Sequence, residues 1–137
     1  MVIGTHMPEK SDYASQMKGK SGVSRIFKAF FYSLSGFRFA WDEPAFRQIV
    51  LLNLVLLIAT FCLSFSLPVV MMLVMGSFIS LLAELVNSAI EAAVDNTSLE
   101  KRPFAKRAKD IGSALQFLSI VLLIVLWGLA LYGRFGM

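Results

Sequence analysis

Between Ser77 and Asp95 the chain reads SFISLLAELVNSAIEAAVD. At 100° per residue, Ser77, Ser80, Glu84, Asn87, Ser88, Glu91 and Asp95 fall within a wedge of about 100°, and apolar side chains fill nearly all the rest of the circumference. The spacing predicts a helix that is apolar apart from one polar stripe carrying carboxylates. Upstream, no residue from Gln48 to Ala83 is charged. That run is too long for one membrane span of about 20 residues, and Phe65-Ser66-Leu67-Pro68 divides it. The pattern therefore predicts a first span over about 45–65, a tight uncharged turn, and a second span over about 68–95. Asn96 to Arg107 reads as a polar loop. A third helix is expected over about 104–133, through the uncharged stretch Ile111–Gly133, with Trp127 and Tyr132 towards its far end.

Ahead of these spans the pattern differs. Ile26, Phe27, Phe30, Phe31, Leu34, Phe37 and Trp41 recur at helical spacing over about 24–41, with Arg25, Lys28, Ser35 and Arg38 mainly on the other side. An aromatic face opposed to a basic one is the mark of a helix lying in the membrane interface. A soluble amphipathic helix would look similar, but nothing here predicts a soluble core for it to pack on. Trp41-Asp42-Glu43-Pro44 is a break, with Pro44 suited to the first turn of the next helix and an acidic residue near its positive end. Residues 1–23 show no apolar periodicity and read as a disordered tail, of which MVIGTHM resembles vector-encoded sequence; His6 is given no metal role. No secretory signal is apparent, because the first long apolar run comes only after Arg47.

Composition and charge then place these helices. Of 137 residues, 57% are hydrophobic and 16% charged, against roughly 25% charged in soluble domains. This excludes an ordinary soluble domain and predicts a single-domain, all-α integral membrane protein. The single cysteine, Cys62, lies in an apolar run and can form no intrachain disulfide. Seven of the 13 basic residues lie at or before Arg47 and five between Lys101 and Lys109, whereas the Pro68 turn has none. By the positive-inside rule the N-terminus and the 96–109 loop face the cytoplasm and the C-terminus faces outside, as three spans require.

Depth narrows the chemistry. Counting from Pro68 at 1.5 Å per residue, Glu84 lies roughly 24 Å along the second span and Glu91 roughly 35 Å, against a hydrocarbon core of about 30 Å. Glu91 and Asp95 therefore emerge at the cytoplasmic interface, and Glu84 sits about two turns deeper, where an ionisable residue signals function. An ion pathway would continue its carboxylates towards the far side, but below Glu84 the stripe offers only Ser80 and Ser77. A boundary site instead suits a reaction between a water-soluble donor and a lipid-dissolved acceptor. Glu43 reaches the same level from the break, and Lys109, Asp110 and Ser113 from the third helix. Carboxylates beside a basic cluster can hold Mg²⁺ and a nucleotide's phosphates together, although neither a P-loop nor a kinase glycine loop is present. The residues alone point to an interfacial, metal-dependent membrane enzyme, with a non-enzymatic ion-pathway or oligomer-forming protein as the competing class.

Glu84-Leu-Val-Asn87-Ser-Ala-Ile-Glu91 followed by Val94-Asp95 resembles the signature E-x-x-N-[ST]-A-I-E-x-x-V-D of the prokaryotic diacylglycerol kinase family. Ala108-Lys109-Asp110 resembles its second block. Glu43 to Gln48 is similar to the branch acting on diacylglycerol, as are Arg25, Lys28, Tyr32 and Gly36 in the interfacial helix. The resemblance covers about residues 24–137. It implies a homotrimer of the bacterial inner membrane, an interfacial helix and three transmembrane helices per subunit, and active sites shared between subunits. It further implies ATP- and Mg²⁺-dependent phosphorylation of diacylglycerol to phosphatidic acid, with undecaprenol kinase as the alternative activity and no nucleic-acid partner. Glu84 would be the catalytic base, Glu43 and Glu91 the metal ligands, and Asn87 and Asp95 orienting residues. ATP would meet Arg25, Tyr32, Glu43, Glu91, Glu100, Lys101, Arg102, Lys109 and Asp110. Arg25, Ala29, Glu84, Ser113 and Trp127 would contact the lipid.

Overall fold

The computed structural model describes residues 22–97 and 102–136. Four helices account for nearly all of them: α1 (Gly22–Asp42), α2 (Pro44–Cys62), α3 (Leu67–Thr97) and α4 (Pro103–Phe135). No strand occurs among the described residues. Helices α2, α3 and α4 are each long and apolar enough to cross a membrane, so the protein is an all-α, multi-pass membrane protein. The N-terminal tail through residue 21 and the loop residues 98–101, with Glu100 and Lys101, lie outside the described residues.

The helix ends follow local sequence chemistry. Glu43 is the N-cap of α2 and Pro44 its first residue, where the missing N–H costs nothing. Arg47 turns back to donate from Nη1 to the carbonyls of Trp41 (2.8 Å) and Asp42 (3.2 Å), satisfying the C-terminal end of α1. The Trp41 ring meets Phe46 edge-on, at 6.5 Å and 78°. α2 ends at Cys62 rather than near Phe65, because Ser64 adopts a left-handed backbone with φ 52°. That turn takes Phe65 out of α2 and sets its ring edge-on against Trp127 of α4, at 6.0 Å and 80°. Pro103 opens α4 as Pro44 opens α2.

At 1.5 Å per residue α2 is about 28 Å long, α3 about 46 Å and α4 about 50 Å. Only α2 matches a hydrocarbon core of about 30 Å. The Ser64 turn joins α2 and α3 at one end, so the excess length of α3 and α4 projects at the other, and the charged residues of both helices lie there except Arg134, which stands at the turn end.

Helix α3 is central, packed against α2 on one side and α4 on the other. Its buried residues are Leu73, Gly76, Ser77, Ser80, Ala83, Glu84 and Asn87, so most of the polar stripe faces protein while Met71, Phe78 and Leu82 remain exposed. The orientation has a simple cause: an apolar side chain loses nothing facing lipid, whereas a polar one there lacks partners. Small residues on this face let the helices approach closely, and a Cβ on Gly76 would lie 2.6 Å from Leu126 Cδ1. α2 contributes one buried residue per heptad, Phe46, Asn53 and Thr60. Between α2 and α3, Asn53 Nδ2 donates to Ser80 Oγ at 2.7 Å. Such a bond between membrane helices contributes about 0.5–2 kcal/mol.

The residues of α1 through Arg38 form a unit of their own. Ile26, Phe27, Phe30, Phe31, Leu34 and Phe37 are all exposed, which is the surface that an interfacial helix would bury in a membrane.

Candidate active site

The site is built on the C-terminal half of α3. Glu84, Asn87 and Glu91 follow at intervals of three and four residues, which places them one above another on a single helix face. Burial falls along the stripe: Glu84 is 3% exposed, Asn87 9%, Glu91 intermediate and Asp95 exposed. Between Glu84 and Glu91 the helix rises about 10 Å. A buried carboxylate and a more exposed one thus share a face.

Glu43 joins them from α2. Asn53 is paired with Ser80, and the antiparallel course of the two helices carries Glu43, ten residues before Asn53, to the level of Ile90, ten residues after Ser80. Although Glu43 occupies the N-cap position, its side chain makes no capping hydrogen bond, so the carboxylate stays available. Both Glu91 and Glu43 are close enough for their charges to act on Glu84. Two carboxylates whose charges act on a buried third favour a cation nearby.

Helix α4 supplies the opposite charge. Lys109 Nζ lies 2.7 Å from Asp95 Oδ1, and the Glu91 charge is also felt at Lys109. The pair is exposed, so it contributes little to stability and can open to admit an anion. Asp110, next in sequence, points away and is held by Lys106 one turn earlier. Gly112 lies directly against Asn87: a Cβ there would be 2.6 Å from Asn87 Oδ1 and 3.4 Å from Ile90 Cδ1. Only a residue without a side chain lets α4 come this close. Asn87 Nδ2 in turn donates to Glu91 Oε1 at 3.4 Å, a long bond, and its Oδ1 is buried without a partner.

Donor chemistry decides which ion these residues fit. Carboxylate oxygens are hard ligands suited to Mg²⁺, which is commonly held by one or two carboxylates, with phosphates and water completing the octahedron. No group of three or more His, Cys, Asp or Glu side chains close enough to cage a metal by themselves occurs among the described residues. The arrangement fits an ion that arrives with a phosphate ligand and does not fit a self-sufficient protein cage.

The other residues singled out from sequence are dispersed. Arg25, Ala29 and Tyr32 lie on one face of α1, at spacings of four and three, in the separate unit that ends at Arg38. Arg102 is the N-cap of α4. Ser113 is exposed, one residue beyond Gly112. Trp127 packs on Phe65 at the turn end of the bundle, some 20 Å of helix rise from Ser113. A cleft at that end is lined by Ser64, Ser66, Val69, Ala130 and Arg134; with one cation and no carboxylate it offers no base.

Sequence reasoning passed over Asn53, Gln116, Ser119 and Gly112. Asn53 is 1% exposed and Ser119 5%, and Ser119 Oγ donates to the Gln116 carbonyl at 2.7 Å. The available signal was an amide in each of two uncharged apolar runs, since polar residues at membrane depth are seldom incidental.

Comparison with known proteins agrees with the residue pattern. The family model described as prokaryotic diacylglycerol kinase matches residues 31–131. A diacylglycerol kinase of Pseudomonas aeruginosa is 46% identical over 120 residues, covering 87% of this chain and 98% of the relative. The Helicobacter pylori (strain 26695) diacylglycerol kinase is 43% identical over 126 residues, with coverage of 89% and 98%. That of Escherichia coli K12 is 35% identical over 117 residues, with coverage of 85% and 96%.

Proposed function

The chain belongs to the prokaryotic diacylglycerol kinase family, and on that premise we propose that it transfers the terminal phosphoryl group of ATP to the primary hydroxyl of diacylglycerol. The product is phosphatidic acid, formed at the cytoplasmic face of a bacterial inner membrane. The N-terminus faces the cytoplasm and the C-terminus the periplasm, and the protein works as a homotrimer with active sites shared between subunits.

One observation carries the reading: a buried carboxylate, Glu84, lies in the field of two more accessible ones, Glu91 and Glu43. In this reading Glu84 takes the proton of the lipid hydroxyl as that oxygen attacks the terminal phosphorus and ADP departs. Glu43 and Glu91 would hold Mg²⁺, which would offset the charge of the phosphates. Asn87 keeps Glu91 in place. Lys109 leaves Asp95 to meet phosphate oxygens, and Asp95 holds it ready in the absence of nucleotide. Arg25, Tyr32, Arg102 and Asp110, with Glu100 and Lys101 of the loop, complete the nucleotide contacts. Arg25, Ala29, Ser113 and Trp127 contact lipid.

The direct test offers labelled ATP to the protein in mixed micelles containing diacylglycerol or undecaprenol. Label in phosphatidic acid supports the proposal. Label in the polyprenol would keep the reaction and overturn the substrate, and label in neither would remove the kinase reading. The close approach of α4 gives a second test. Gly112→Ala must push the Asn87 amide away, weakening its long bond to Glu91, and overpacking of this kind costs about 1–3 kcal/mol. Displacing a residue that supports a metal ligand should raise the Mg²⁺ concentration for half-maximal rate about tenfold. An unchanged Mg²⁺ dependence would show that Asn87 does not act through Glu91.

A further inference from the structure

Asn53 is 1% exposed and sits midway along α2, among leucine, isoleucine and valine. Its Nδ2 donates twice, to the Ile49 carbonyl of its own helix at 2.9 Å and to Ser80 Oγ of α3 at 2.7 Å. Ser80 Oγ passes its own hydrogen to the Ser77 carbonyl at 2.9 Å. The amide orientation is fixed, since a flip would set Oδ1 against the Ile49 carbonyl. Oδ1 itself is buried without a partner. An isolated amide with an unsatisfied acceptor is a poor device for stability alone.

Its value lies in placement. Apolar helix faces in lipid gain no hydrophobic driving force for one register over another, because lipid tails are as apolar as the facing side chains, so directional polar bonds weigh more in setting it. The Ser64 turn joins α2 to α3 at one end, and Glu43 stands at the other end of α2, some 28 Å away by helix rise. A small pivot about that turn becomes a large displacement at Glu43. The directional bond from Asn53 to Ser80 opposes it halfway along. A shift of one turn would move Glu43 about 5 Å relative to Glu91, whereas Mg²⁺ ligands must stand about 2 Å from the ion.

We propose that Asn53 is a positioning residue that, through Ser80, sets the height of Glu43 against Glu91 and so controls affinity for Mg-ATP. This rests on the assignment of Glu43 and Glu91 as metal ligands.

The test is Asn53→Leu in the full chain, with Ser80→Ala and the double variant, followed by Mg-ATP binding, kinetics and thermal unfolding. Leucine keeps the volume, removes the unsatisfied acceptor and leaves Ser80 bonded to Ser77, so the melting temperature should hold or rise. The Kd and KM for Mg-ATP should rise about tenfold while the KM for diacylglycerol stays within about twofold. Ser80→Ala should reproduce the effect, and the double variant should be no worse than either single one. Unchanged Mg-ATP affinity in an active protein overturns the proposal and spares the kinase reading. A fall in melting temperature with both KM values moving together also overturns it, as a merely structural role. If the unsubstituted chain transfers no phosphate, yet Asn53→Leu still weakens Mg-ATP binding, the proposal stands and the kinase reading falls.

Discussion

Glu84→Gln is expected to lower kcat by between about a hundredfold and ten-thousandfold, the usual contribution of a positioned general base. The substitution keeps the shape of the side chain and removes its capacity to accept a proton. Glu84 sits 3% exposed within reach of the Glu91 and Glu43 charges, so taking away its charge also takes away a buried repulsion. Stability should therefore hold or increase, because a buried charge without a close partner is costly. The check is the phosphate-transfer assay run beside a melting curve. A slow enzyme with an intact or raised melting temperature supports the base assignment. Turnover within about threefold of the unsubstituted chain would move the base elsewhere, since no general-base contribution is that small.

The second large effect is expected at Glu91. Glu91→Gln leaves an oxygen that can still accept the hydrogen bond from Asn87 Nδ2 but removes the charge that a hard divalent cation requires. The Mg²⁺ concentration for half-maximal rate should rise about tenfold to a hundredfold, with part of the lost rate recovered at high Mg²⁺. Glu84→Gln, by contrast, should not be recoverable by Mg²⁺, because its lesion lies in proton transfer. Titrating Mg²⁺ against rate for the two variants separates the roles. If neither responds to Mg²⁺, Glu91 is not a metal ligand.

The two substitutions differ because the residues differ in burial, and their order along one helix face was legible in the chain. The uncharged run from Gln48 to Ala83 and the stripe on α3 lead to the expectation of Glu84 inside the membrane boundary and Glu91 outside it. The observed arrangement has the same order, with Glu84 buried and Asp95 exposed. Less legible was the local bookkeeping of charge. Lys109 and Asp110 are neighbours in sequence, yet Lys109 reaches across to Asp95 while Asp110 is held within its own helix by Lys106. A helix turns 100° per residue, so adjacent side chains diverge, and only the packing of α4 on α3 says which one faces the site.

The amino-acid sequence by itself determined the spans, the level of the acidic stripe along them, and the chemistry open to carboxylates and lysines there. These depend on hydropathy, helical period and rise per residue, all local quantities. Tertiary structure decided which parts of the apolar surface meet protein and which meet lipid. Leucine satisfies both surroundings equally, so the pattern in α2 and α4 leaves the choice open. The close approach at Gly112, the turn that sends Phe65 to Trp127 and the bond from Asn53 to Ser80 are fixed by partners far apart in the chain. A membrane helix is specified by what surrounds it, and its register against a neighbour by the few polar groups that lipid cannot satisfy.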